Sequence, residues 1–155
     1  MNVPTLPPIA VDVVVPCPPD RAFDYFTRDI ARWWPLSTHS CATVDAVDVA
    51  FEPRVGGALT ERARDGTMHV WGTVTAWTPG SRVAFTWHPG RDADHATRVD
   101  VTFTAGGDGT RVTLTHDGWN ARHDGAKVRE SYVEGWQIVL LHRYGGHCAA
   151  QAGRR

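Results

Sequence analysis

Between Gly56 and Trp87 the chain reads GGALTERARDGTMHVWGTVTAWTPGSRVAFTW, and no other stretch restricts the fold as much. Two turns divide it into three strands of about 57–64, 67–78 and 81–88. Asp65-Gly66 suits a two-residue hairpin turn, whose backbone needs φ > 0. Pro79-Gly80 marks the next reversal. Beyond it, Val83, Phe85 and Trp87 alternate with Ala84, Thr86 and His88, and a period of two sends the first set to one face. The expectation is a curved antiparallel sheet with one apolar face. By the same alternation Trp77 reads off phase on its strand.

The flanking residues extend this sheet. Ile9–Val15 reads as a first strand, broken by the prolines at 16, 18 and 19. Pro18-Pro19-Asp20 suits a helix start, with acidic charge in the first turn. Ala22, Phe23, Phe26 and Ile30 follow at helical spacing, until Trp33-Trp34-Pro35 ends the short helices and a loop of about 36–44 begins. Val47, Val49 and Phe51 alternate, as do Val99, Val101 and Phe103. The glycine-rich turn at 106–109 leads to Val112, Leu114 and His116 on one face. The period then changes. Val128, Tyr132, Trp136, Val139, Leu140 and Arg143 recur at three and four, which predicts one amphipathic helix over about 126–148, capped or frayed at Gly145-Gly146. The order is strand, short helices, six strands, long helix. It reads as one α+β domain at 9–148 with tails at 1–8 and 149–155.

Composition excludes several function classes. The 155 residues suffice for one real core. Net charge is −1, from 16 basic and 17 acidic residues, so there is no electrostatic footprint for nucleic acid. No apolar run reaches the ~20 residues of a membrane span. The first residues lack the basic and long apolar regions of a signal peptide. Cys17, Cys41 and Cys148 are three and widely spaced, which reads as reduced thiols in a cytoplasmic protein. The eight histidines, among them His39, His69, His88, His95, His116 and His123, show no metal-ligand spacing. No metal and no cofactor are expected, and the oligomeric state is left open.

Seven tryptophans are the unusual part. Such large amphipathic rings suit either a thick core or a lined cavity. Trp34, Trp87 and Trp136 are the expected aromatic walls. Glu61 falls in phase with Leu59 and Ala63, and His116 with Val112 and Leu114, so both should point to the concave side. A carboxylate there must be paired, hydrogen-bonded or shifted in pKa. It is either a ligand anchor, an acid/base group or a rim residue paired with arginine. His116 is either a ligand-orienting imidazole or a hydrogen-bonded core residue. The two-residue spacing of His39 and Cys41 in an extended segment allows them to touch, but no orienting acid completes a nucleophilic set.

These residues also carry a family resemblance. Arg32-Trp33-Trp34-Pro35-Leu36-Ser37-Thr38-His39-Ser40, Phe51-Glu52-Pro53-Arg54-Val55-Gly56-Gly57, His69-Val70-Trp71-Gly72-Thr73-Val74, Phe85-Thr86-Trp87-His88-Pro89-Gly90 and Gly135-Trp136 are its marks. From about Val11 to Tyr144 the chain resembles bacterial proteins related to the C-terminal domain of the heat-shock-protein-90 ATPase activator. These belong to the START-like, or SRPBCC, superfamily. The resemblance implies a helix-grip fold: about seven antiparallel strands around a long C-terminal helix, with two short helices after strand one. It also implies a cavity between sheet and helix, where related proteins bind lipids, sterols, hormones or polyketides. A few relatives are cyclases or hydrolases. The activator's additional N-terminal domain finds no counterpart in this length, so its co-chaperone role is not carried over.

The expected function is binding of a small apolar or amphipathic molecule, aromatic ones included, by Trp34, Glu61, Trp87, His116 and Trp136, with no catalytic residue assigned. The alternatives are a cyclase, dehydratase or hydrolase using Glu61 or His116 as acid/base, and a protein-interaction module without a filled cavity.

Overall fold

The computed structural model describes residues 6–122 and 124–153. The outer parts of both expected tails (1–5 and 154–155) and His123 lie outside the described residues. Seven strands form one antiparallel sheet in the order β1-β7-β6-β5-β4-β3-β2. They are β1 (Ile9–Val15), β2 (Ala46–Phe51), β3 (Ala58–Ala63), β4 (Met68–Thr78), β5 (Arg82–Trp87), β6 (Thr97–Gly106) and β7 (Gly109–Asp117). Two short helices, α1 (Pro19–Thr27) and α2 (Ile30–Trp33), follow β1. This is the helix-grip α+β architecture expected from the sequence.

Local chemistry sets the element ends. Pro18 is extended, with ψ 161°, because a proline follows it, and Pro19 opens α1 where no amide hydrogen is needed. Gly66 holds φ 91° in the β3–β4 turn. Gly72 has a different reason: a Cβ there would stand 1.7 Å from the Thr86 carbonyl oxygen, so only glycine lets β4 and β5 approach. Among the described residues no helix is long and apolar enough to cross a membrane.

The clean alternation of β5, β6 and β7 is realised in register. Val83 faces Val101, which faces Leu114, and Phe103 faces Val112. All five are buried. Asp100 sits on the opposite face, paired with Arg82. Elsewhere bulges overturn simple period-two expectations. A register shift between Ala46 and Asp48 leaves Val47 exposed although Val49 is buried. Another shift between Val74 and Ala76 places Trp77 opposite Val83. Trp77 is therefore not off phase. It packs edge-on against Phe23 and beside Phe51.

The C-terminal helix grips the concave face. It runs as α3 (Gly125–Trp136), a π-helical stretch Gln137–Tyr144, and α4 (Gly145–Ala152). Gly145-Gly146 neither caps nor frays it, and it continues past Cys148. Its buried residues include Trp136, Leu140, Tyr144 and Cys148. In an α-helix a four-residue step overshoots the 3.6-residue turn by about 40°, so such a stripe would drift off the sheet. The wider i→i+5 turns of the middle stretch remove that drift. Arg143, read as part of the apolar stripe, is exposed, and Tyr144 takes the inward place. Tyr144 donates to the Ala22 carbonyl at 2.7 Å and ties the helix to α1.

Candidate functional site: an aromatic cleft between sheet and helix

Trp34 follows α2 in an extended conformation, ψ 130°, as a residue before proline should. Its ring lies 5.2 Å from Trp71, 5.8 Å from Trp87 and 5.9 Å from Trp136, centroid to centroid. Trp87 reaches Trp136 at 5.5 Å and Tyr132 at 6.5 Å. These contacts join α2, β4, β5 and the C-terminal helix into one continuous aromatic wall.

A cleft of about 510 Å³ opens on this wall. That is within the usual range for small-molecule sites. Trp34, Trp87 and Trp136 line it with Tyr132. Thr38, His39, Ser40 and Cys41 form one rim, Pro89 and Gly90 a second, and Ser131, Gly135 and Val139 the helical side. The indole N–H groups are already used. Trp34 donates to the His39 carbonyl at 2.7 Å, Trp87 to the Tyr132 hydroxyl at 2.9 Å, and Trp136 to His116 at 2.8 Å. The Tyr132 hydroxyl therefore accepts from Trp87, and its own proton has no acceptor among the described residues. Burial pushes its pKa up, so it stays a neutral donor.

Glu61 and His116 point to the concave side, as their phase requires, yet neither lines the cleft. Glu61 is fully buried behind the rim. Its Oε1 accepts from the Cys41 amide at 2.7 Å and the Trp71 indole at 2.9 Å, and its Oε2 from the Ala42 amide at 2.8 Å. Burial opposes the charge, but these donors outweigh it and hold the carboxyl below its ordinary range. The carboxylate thus fastens the rim at Cys41 and Ala42 to β3, and no arginine among the described residues pairs with it. His116 is equally enclosed. Its Nδ1 accepts from Trp136, and its Nε2 lies 2.6 Å from Thr97 Oγ1. Burial, with Arg122 nearby, pushes its pKa down to about 3.

The rim groups were not singled out as ligand contacts by sequence phase, because they sit on a loop where no period exists. The Thr38-His39-Ser40 string of the family resemblance is the signal the sequence offers for them. His39 pairs with Thr38 through Nδ1 at 2.7 Å, and partial burial and the Arg143 charge lower its pKa, so it is neutral at pH 7. Burial and the Glu61 charge push the Cys41 thiol up. It is a thiol rather than a thiolate at neutral pH, and so a poor nucleophile. Among the described residues no cluster of three or more His, Cys, Asp or Glu side chains is arranged to hold a metal ion.

The family model described as Activator of Hsp90 ATPase homolog 1-like protein matches residues 16–143. The chain belongs to this family. Among solved structures it is similar to Txn09, an anthrahydroquino-γ-pyrone synthase, with 31% identity and a TM-score of 0.61 over 92% of this chain and 97% of that one. Protein MLL2253 from Mesorhizobium loti shares 19% identity at a TM-score of 0.66, covering 89% of this chain and 94% of its own. The Aha1 dimer from Colwellia psychrerythraea shares 16% identity at a TM-score of 0.64, covering 88% and 92%. The last two show likeness of fold alone. No curated protein matches the sequence.

Proposed function

We propose that this member of the Hsp90-activator-like family binds a flat aromatic or amphipathic small molecule in the cleft. The observation that carries the reading is the wall of Trp34, Trp87 and Trp136 beside a Tyr132 hydroxyl whose proton has no acceptor among the described residues. Aromatic faces with few polar anchors favour a ligand of fused or linked rings bearing a hydrogen-bond acceptor. His39 adds a neutral imidazole at the rim. Similarity to a γ-pyrone synthase supports a polycyclic ligand. Titration with 1,8-dihydroxyanthraquinone should quench tryptophan fluorescence saturably. Absence of quenching would overturn the reading.

A second reading, catalysis of a ring closure, draws on the same similarity. Glu61 and His116 are poorly placed for it, since every donor and acceptor they carry is engaged behind the wall. Tyr132, His39 and Cys41 are the titratable groups that line the cleft; Cys41 is held as a thiol, so Tyr132 and His39 would have to move the protons. Turnover of a cyclisable polyketide-like substrate, lost in Tyr132→Phe, would favour this reading over simple binding.

A further inference from the structure

Gly135 lies inside the long helix, between Ser131 and Val139 on the stripe that lines the cleft. A glycine in a helix interior costs stability relative to alanine, so its presence asks for a reason. The two usual reasons are missing. Its backbone is helical and is not among the positive-φ glycines. Beyond its chain neighbours and its own helix backbone, no atom of the described residues lies within 4 Å of where a Cβ would stand, so no neighbouring element among them needs the close approach. Gly125 in the same helix is the opposite case, because its Cβ would meet the Trp119 carbonyl oxygen at 2.0 Å.

What the missing side chain leaves open is the cleft itself. We infer that Gly135 is a specificity-determining residue whose vacant Cβ position is occupied by the ligand. A flat ring system lies directly against the helix backbone there, flanked by Tyr132 and Trp136. The inference rests on the cleft's being a ligand site, and it adds the class: a molecule broad and flat enough to cover the helix at this point, where a bulky side chain would displace it.

The helix supplies its own control. Gly146 is also helical, also has nothing within 4 Å of a Cβ, and lies outside the cleft. Gly135→Ala, Gly135→Leu and Gly146→Ala are compared by thermal melting and by quenching with 1,8-dihydroxyanthraquinone. Both alanine variants should melt higher than wild type. Gly146→Ala should bind as wild type does, whereas Gly135→Ala should bind about tenfold more weakly and Gly135→Leu more weakly still. The alanine variant keeps the test valid should the leucine variant fold poorly. Wild-type affinity in Gly135→Ala would overturn the inference and leave the cleft reading standing. No quenching of the wild-type protein would overturn both.

Discussion

Trp136 donates its indole N–H to Nδ1 of His116 across 2.8 Å, and this one bond fixes both the helix and the histidine. Because Nδ1 accepts, the imidazole proton sits on Nε2, directed at Thr97 Oγ1, 2.6 Å away. Thr97 in turn donates its hydroxyl hydrogen bond to the Trp87 carbonyl at 3.3 Å. The chain of donors runs from the C-terminal helix through β7 and β6 to β5. A second proton on His116 would face the Trp136 N–H and break the chain.

Acid stability follows from this geometry. The folded pKa of His116 is about 3 and the ordinary value is 6.5, so the unfolded chain takes the proton first as pH falls. Its contribution is full above pH 6.5 and is lost progressively on the way to about 3. At ~1.4 kcal/mol for each pKa unit, the loss by pH 4 should be roughly 3 kcal/mol. Urea unfolding at pH 7 and pH 4 measures it. His116→Gln, which does not titrate, should flatten the dependence over pH 6.5–4.5. Below that the protonation of Glu61, held under its ordinary 4.5, adds a further loss.

Removing the donor tests the same bond from the other side. Trp136 is buried, so Trp136→Ala should cost ~3–5 kcal/mol. Trp136→Phe keeps most of the ring volume but leaves Nδ1 unpaired, which should cost ~1–3 kcal/mol. Thermal melts distinguish them. A loss below about 1 kcal/mol in the alanine variant would mean that the ring is peripheral.

Glu61 makes a separate prediction about the rim. Glu61→Gln turns one acceptor oxygen into a donor that faces N–H groups, so at least one of the Cys41, Ala42 and Trp71 donors loses its partner. The expected cost is ~1–3 kcal/mol. Hydrogen exchange at the Cys41 and Ala42 amides should accelerate more than at β6–β7. Equal protection in the variant would show that the rim does not depend on the carboxylate.

The sheet was legible because β5, β6 and β7 alternate without interruption, and a one-residue slip would have buried Asp100. The phase of Glu61 and His116 was legible for the same reason. Their environment was not. Period gives the face a side chain takes, not which neighbour satisfies it, and Glu61 is met by loop amides twenty residues earlier and by Trp71 on the next strand. Trp77 was misread because a bulge at Val74/Ala76 inserts an odd residue that no composition rule announces. The helix is expected over about 126–148 with Gly145-Gly146 as cap or frayed end because glycine usually stops helices, whereas here the packing of Tyr144 and Cys148 carries it on to Ala152. The cleft rim at 38–41 has no periodicity at all, so its residues become visible only when the chain is folded.

Thiol reactivity should separate the three cysteines. All are free; Cys17 and Cys148 are buried, and burial first among several causes pushes Cys148 up to about 12. Cys41 is half-buried and lines the cleft. A disulfide reagent should therefore modify one thiol of the native protein before the other two, and all three after denaturation. 1,8-Dihydroxyanthraquinone should slow the first reaction. A denatured count near one would reveal a disulfide.

The two tryptophans of neighbouring strands give the sharpest test of where ligand sits. Trp87 lines the cleft and touches Trp34, Trp71 and Trp136. Trp77 faces the same side of the sheet but packs against Phe23 and Phe51, at a separate hollow beside α1. Both alanine variants remove a large ring from the same face, so both should lower the melting temperature. Only Trp87→Ala strips a wall from the cleft and also frees the Tyr132 hydroxyl from its donor. It should weaken anthraquinone binding about tenfold or more, while Trp77→Ala should stay within about twofold of wild type. Equal weakening by the two would mean that loss of stability, not loss of contact, controls the affinity, and that the ligand is not seated on this wall.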